Sequence, residues 1–286
     1  MTLIVLKKYL KLSSGSSIPT IGLGTWDIPT TVTASIVKNA LDRGYRLIDC
    51  ATLYGNEKEC GEGISQWLAQ DPENNKREDV FYITKLWNSE NGYDNATRAI
   101  KNCLAKVKSI GYIDLLLIHS PLEGSQMRLD TYKAMQEAVD NGIVKSIGVS
   151  NYGKHHIEEL LNWSELKYKP VVNEIEISPW LMRQDLCDFC RSKGIEIIAY
   201  APLAHSKRIQ DPIVNKIADA KGVTAAQVLL RWSLQKGYIP IPKTKTIARL
   251  APNLDVYSFE LTDKEVKELD HPDAYDPTDW ECTDAP

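Results

Sequence analysis

Arg46-Leu47-Ile48-Asp49-Cys50-Ala51-Thr52-Leu53-Tyr54-Gly55-Asn56-Glu57 is a short apolar run that ends on a carboxylate and passes a phenol before a helical pattern begins. Its apolar residues are continuous rather than alternating, as expected of a strand buried on both faces in a parallel sheet. The same unit recurs outward in both directions. Apolar runs lie at 21–24, 47–51, 80–84, 113–119, 144–149, 171–177, 195–200 and 238–242. Amphipathic stretches lie between them at 32–43, 57–69, 95–107, 129–140, 155–162, 184–193 and 212–236, with another from 246. Gly44, Gly142, Gly194 and Gly237 follow helical stretches just before a strand, where the left-handed closing residue of a helix belongs.

Eight strand–helix units in roughly 250 residues match a (β/α)8 barrel, whereas doubly wound sheets stop earlier. No linker or break in composition interrupts them. The chain therefore reads as α/β, a single (β/α)8 TIM barrel domain over 1–286, with an N-terminal β-hairpin around Ser13-Ser14-Gly15-Ser16 closing the barrel bottom. A Rossmann domain would need G-x-G-x-x-G after the first strand and opening a helix. Gly22-Leu23-Gly24-Thr25-Trp26-Asp27 lacks the third glycine, and Gly61-Glu62-Gly63 falls inside a helical pattern.

With 43% hydrophobic and 25% charged residues, the chain can bury a substantial core. A net charge of −4 and the absence of a basic, aromatic-rich patch argue against nucleic acid. Lys7-Lys8 and Lys243-Thr244-Lys245 are too short for a polybasic membrane segment, and the few residues ahead of Lys7 lack the apolar core of a signal peptide. The six cysteines read as reduced thiols of a cytoplasmic protein. Cys187-Asp188-Phe189-Cys190 has C-x-x-C spacing, but it lies in a helical pattern with no second pair, so packing is the expected role and no metal is expected.

In such a barrel, chemistry comes from the carboxyl ends of different strands. Asp49 ends the second strand with Tyr54 in the loop beyond it, Lys85 ends the third, and His119 ends the fourth. Each has an ordinary explanation alone: a turn cap, a rim aromatic, a snorkelling lysine, a satisfied histidine. Together they suit carbonyl reduction. Tyr54 would donate a proton, Lys85 would lower the phenol's pKa, Asp49 would hold Lys85, and His119 would orient the carbonyl oxygen.

The chain resembles the aldo-keto reductases over nearly its whole length, as a short-loop member similar to microbial and fungal carbonyl reductases. The motifs are Ile48-Asp49-x-Ala51-x-x-Tyr54-Gly55-Asn56-Glu57, Thr84-Lys85-Leu86-Trp87, Asp114-Leu115-x-Leu117-Ile118-His119-x-Pro121, Gly148-Val149-Ser150-Asn151 and Ile241-Pro242-Lys243. The resemblance implies that Asp49, Tyr54, Lys85 and His119 form a catalytic tetrad. It also implies NADPH/NADP+ bound across the barrel mouth, with hydride leaving from the pro-R face. Ser150 and Asn151 would hold the carboxamide and Tyr200 would stack on the ring. Gly24, Thr25, Trp26, Ala201, Pro202 and Leu203 would line the cofactor's path. Lys243, Thr244 and Arg249 would meet the 2′-phosphate, with Asn253 near the adenine.

Two departures stand out. Glu174 takes the place of the family's Gln beside the nicotinamide, and if ionised it is expected to favour the oxidised ring. Ser120 follows His119 where many members carry Trp, which implies a more open pocket. Trp26, Trp87, Ser120 and Trp280 are the expected substrate-pocket residues. The expected function is NADPH-dependent reduction of aldehydes and activated ketones, including α-dicarbonyls such as keto esters, keto amides or keto lactones. The alternatives are a sugar-aldehyde (aldose/xylose-type) reductase and a cofactor-sensing regulatory subunit. A barrel hydrolase or isomerase would need a metal cluster or carboxylate pair that does not stand out. The expected partner is a small-molecule carbonyl, with no nucleic acid or membrane, and the chain is read as a monomer or weak homodimer.

Overall fold

The structure, a computed structural model, describes residues 7–286. The residues ahead of Lys7, read above for a leader segment, lie outside that range. Two short strands, β1 (Tyr9–Lys11) and β2 (Ser17–Pro19), pair as an antiparallel hairpin. Eight strands follow: β3 (Leu23–Gly24), β4 (Leu47–Asp49), β5 (Phe81–Leu86), β6 (Ile113–Ile118), β7 (Val144–Ser150), β8 (Val172–Glu176), β9 (Glu196–Tyr200) and β10 (Ile239–Pro240). Among the described residues these form one parallel sheet in sequence order.

The sheet closes on itself. Gly22 and Gly24 donate their amides to the carbonyls of Pro240 and Pro242, at 3.0 and 3.1 Å, and Gly24 bridges to Lys243. The prolines are tolerated here because each offers this seam only a carbonyl, while Ile241 donates to Ala199 on the other side. A Cβ on Gly24 would lie 2.9 Å from the Ile241 oxygen, so the seam needs a glycine.

Residue parity divides the core. Leu47, Ile83, Leu115, Leu117, Val172, Ile198 and Ile239 point into the barrel, while Ile48, Tyr82, Leu116, Val149, Ile175 and Ile197 pack against the surrounding helices. Leu12 and Ile18 of the hairpin region join the inner cluster, which plugs the amino end of the barrel. At the other end, the period of two carries the inward positions on to Asp49, Lys85, His119, Glu174 and Tyr200.

The helical stretch expected at 212–236 is two helices, Pro212–Lys221 and Ala225–Gln235. Gly222 turns left-handed between them (φ 67°), and Thr224 opens the second through a reciprocal cap with Gln227. All six cysteines are free and buried, and Cys187 and Cys190 belong to the apolar cluster behind helix Gln184–Ser192. No helix among the described residues is long and apolar enough to cross a membrane.

Candidate active site

Lys85 is the hub. Its side chain is wholly buried at the end of β5, and its ammonium donates to Asp49 Oδ1 at 2.5 Å, the Cys50 carbonyl at 3.0 Å and Tyr54 Oη at 3.2 Å. Glu174 Oε1, from across the barrel on β8, lies 3.1 Å from the same nitrogen. Thr25 braces this corner: its amide and hydroxyl both donate to the Asp49 carbonyl, at 3.0 and 2.8 Å.

Burial alone would lower the Lys85 pKa, but the facing carboxylates hold it well above the usual lysine range. Burial raises Asp49, opposed by Lys85. Burial also raises Glu174, to about 8, with Asp49 adding to the effect and Lys85 opposing it. One cation thus serves two buried carboxyls, and Glu174, the more distant of the two from Lys85, is held towards its acid form by burial and by Asp49. Glu174 Oε2 has no hydrogen-bond partner.

Tyr54 departs from the simple expectation. Lys85 does pull its pKa down, but burial outweighs that pull, and Asp49 and Glu174 add to the upward shift. The phenol is therefore firmly protonated. His119 stands beside it with ring centroids 5.7 Å apart. Burial and then Lys85 hold the imidazole well below its ordinary pKa, so it is neutral.

Above these groups opens a cleft of about 610 Å³. Ser150, Asn151 and Glu174 line its floor with Tyr200 and Ala201-Pro202-Leu203, and Gly24 and Trp26 line one side. Asn151 donates to the His119 carbonyl at 3.0 Å and accepts from the Tyr200 hydroxyl at 2.9 Å. Asp27, Asn151 and Ala201 take left-handed backbone conformations just beyond barrel strands, the kind of local strain that clusters at functional sites. The far end carries Lys243, Thr244, Lys245 and Arg249 at the start of helix Ile247–Leu254, a donor set suited to a phosphate dianion. Lys243 is there held by Asp27 at 3.0 Å.

Four expected site residues do not reach the cleft; Lys85 is one, wholly buried beneath it. Thr25 is turned to the Asp49 backbone, and Asn253 is buried in its helix. Ser120 is fully buried, and its hydroxyl donates to Asn88 at 2.6 Å. The expected opening beside it is occupied from elsewhere. Trp280 on the carboxyl-terminal segment packs on Trp87 (centroids 5.3 Å apart) and meets His119 at 6.2 Å. That segment is pinned by Glu176, which accepts from the amides of Thr278 and Asp279 at 2.9 and 3.2 Å, and by an Arg183–Glu281 ion pair at 2.5 Å.

The sequence reading missed Asp27, Leu53, His205 and Asp279, all of which line the cleft. Asp279 and His205 approach to 3.5 Å, and the imidazole holds the Asp279 carboxyl below its usual range. None of these four lies on a barrel strand, so no period of two pointed to them; the Glu174–Lys85 contact was also unanticipated, although each residue lies two positions beyond an inward-facing apolar one.

The model of the aldo/keto reductase family matches residues 20–274. The chain belongs to that family. It is 62% identical over 279 residues, 98% of this chain and 99% of the other, to an oxidoreductase of Saccharomyces cerevisiae described as uncharacterized, YJR096W. It is 36% identical to the glyoxal reductase of Bacillus subtilis, covering 93% of this chain and 92% of that one. The solved aldose reductase of Schistosoma japonicum superposes with a TM-score of 0.85 at 37% identity, covering 92% of this chain and 91% of that one. This aldo-keto reductase is accordingly an oxidoreductase barrel, and the Lys85 hub lies at the mouth where such barrels carry their chemistry.

Proposed function

We propose that this chain is an NADPH-dependent reductase of aldehydes and activated ketones, acting as one catalytic barrel domain in the cytoplasm on small-molecule carbonyls, with no nucleic-acid or membrane partner and as a monomer or weak homodimer. The observation that carries the reading is the Asp49–Lys85–Tyr54 chain of contacts beneath the cleft, with a neutral His119 beside the phenol. The nicotinamide, when bound, supplies the hydride. Ser150, Asn151 and Tyr200 would hold its carboxamide end, and Lys243, Thr244 and Arg249 the phosphate that separates NADPH from NADH. Two cations and a hydroxyl around a helix start support that preference.

The residues then divide the work. Negative charge grows on the carbonyl oxygen as hydride arrives, and Tyr54 Oη gives up its proton there. Lys85 stabilises the phenolate left behind, and Asp49 holds Lys85 in place. His119, being neutral, can donate a hydrogen bond without a competing charge transfer. Trp26, Trp87 and Trp280 exclude water around the carbonyl.

The ionised Asp279 at the rim disfavours anionic substrates, which supports neutral α-dicarbonyls such as keto esters, keto amides or keto lactones over keto acids. The same Asp279–His205 pair favours a second reading, a sugar-aldehyde reductase, because it offers hydrogen bonds to hydroxyls. NADPH consumption against a panel of aldehydes, aldoses, α-keto esters and α-keto acids tests both. Turnover of none of them would leave the cofactor-sensing alternative.

A further inference from the structure

Two buried carboxyls on one ammonium is more than a tyrosine–lysine proton donor requires. Asp49 alone already meets Lys85 at 2.5 Å, and Glu174 approaches from the opposite wall at 3.1 Å. Both carboxyls and the lysine are almost fully buried, at 2%, 2% and 0% side-chain exposure. With Asp49 and Lys85 charged, the cluster is neutral while Glu174 keeps its proton. Without that proton, an uncompensated negative charge is buried beside the Tyr54 hydroxyl, 3.2 Å from the shared ammonium.

We propose that Glu174 is a proton-carrying positioning residue that acts on Tyr54 through Lys85. With the proton on, Lys85 is matched by Asp49 alone and keeps the phenol a competent acid; with it off, the second carboxylate offsets the ammonium and weakens the acid. The proposal rests on the reading of Tyr54 as proton donor. It replaces the expectation that Glu174 acts chiefly on the nicotinamide ring.

The surroundings leave little else to titrate against Glu174. Asp49 on β4, Tyr54 in the loop after it and Lys85 on β5 face its carboxyl, and His119 after β6 stands beyond Tyr54. The neighbouring strands offer Ser150, whose hydroxyl donates to the Glu174 backbone carbonyl at 2.8 Å, and the apolar Ile198. Burial is the largest cause of the upward shift of Glu174 to about 8, and Asp49 reinforces it. The sign follows. Below that range Glu174 is an acid and the donor works; above it the added charge raises Tyr54 further and reduction slows.

The test has two arms, on the whole protein. The first is infrared spectroscopy without cofactor. Wild type should show a buried carboxylic-acid carbonyl band at about pH 6 that is lost by about pH 9 and is absent from Glu174→Gln. The second is the single-turnover rate of NADPH oxidation with an α-keto ester, which separates chemistry from product release. Wild type should slow by about three- to tenfold from about pH 6 to about pH 9, and Glu174→Gln by less than about twofold.

No band in wild type at the lower pH overturns the proposal without any variant. So does a band that titrates while wild type and Glu174→Gln share one rate profile. A wild-type rate that rises with pH, with the rise lost in Glu174→Gln, would assign the charge to the nicotinamide instead. A wild type that oxidises NADPH with no carbonyl at any pH removes the reductase reading itself, a failure distinct from the other three.

Discussion

Thr84 and Lys85 are neighbours on β5, yet each meets a buried glutamate in a different setting. Thr84 points outward, where its hydroxyl donates to Glu57 Oε1 at 2.5 Å, and Lys106 closes on Glu57 Oε2 at 2.6 Å with its own side chain 42% exposed. Both oxygens of Glu57 are satisfied, and its lysine keeps contact with water. Lys85 points inward, has no such contact, and is shared between Asp49 and Glu174, with Glu174 Oε2 left without a partner. A satisfied pair stabilises a helix start against the barrel. An oversubscribed one leaves a proton in play. The difference is the structural mark of which glutamate is mortar and which belongs to the chemistry.

The comparison breaks most readily at its inner half. Lys85→Met should cost about 10²–10⁴-fold in carbonyl reduction, because the phenolate left by proton transfer loses its counter-charge. Circular dichroism on the same sample checks that the barrel is intact. Near-normal turnover would make the inner cluster as structural as the outer one.

The outer half should respond in the opposite currency. Glu57→Gln is expected to lose about 1–3 kcal/mol of unfolding free energy by denaturant titration, while the rate per folded molecule stays within about twofold of wild type. A large loss of rate with unchanged stability would erase the distinction between the two glutamates.

A smaller effect is expected at the rim, where Asp279 is exposed and solvent screens it. Asp279→Asn should improve kcat/KM for an α-keto acid by about two- to fivefold relative to its neutral ester. An unchanged ratio would mean that Asp279 does not sense the substrate's charge.

Much of this was legible along the chain because strands impose a period of two. Continuous apolar runs gave the parallel barrel, and the position after each run gave Asp49, Lys85 and His119. The same arithmetic reaches Glu174 from Val172, but the sequence could not say that its carboxyl meets Lys85, since that depends on the curvature of the closed sheet. Ser120 was misplaced for a related reason: one step past the inward-facing His119, it turns away from the cleft towards Asn88. Asp27, His205 and Asp279 were invisible because loop and tail backbone, not periodicity, puts them at the rim. Trp280 reaches Trp87 only because Glu176 and Arg183 hold the tail down.

The central claim is that the Tyr54 hydroxyl delivers the proton from this cluster. Single-turnover NADPH oxidation by Tyr54→Phe with an α-keto ester tests it directly, in a variant that removes one oxygen and keeps the ring. The rate should fall by about 10²–10⁴-fold, while quenching of tryptophan fluorescence by NADPH shows that the cofactor still binds. A rate within about threefold of wild type, with the cofactor bound, would contradict the claim.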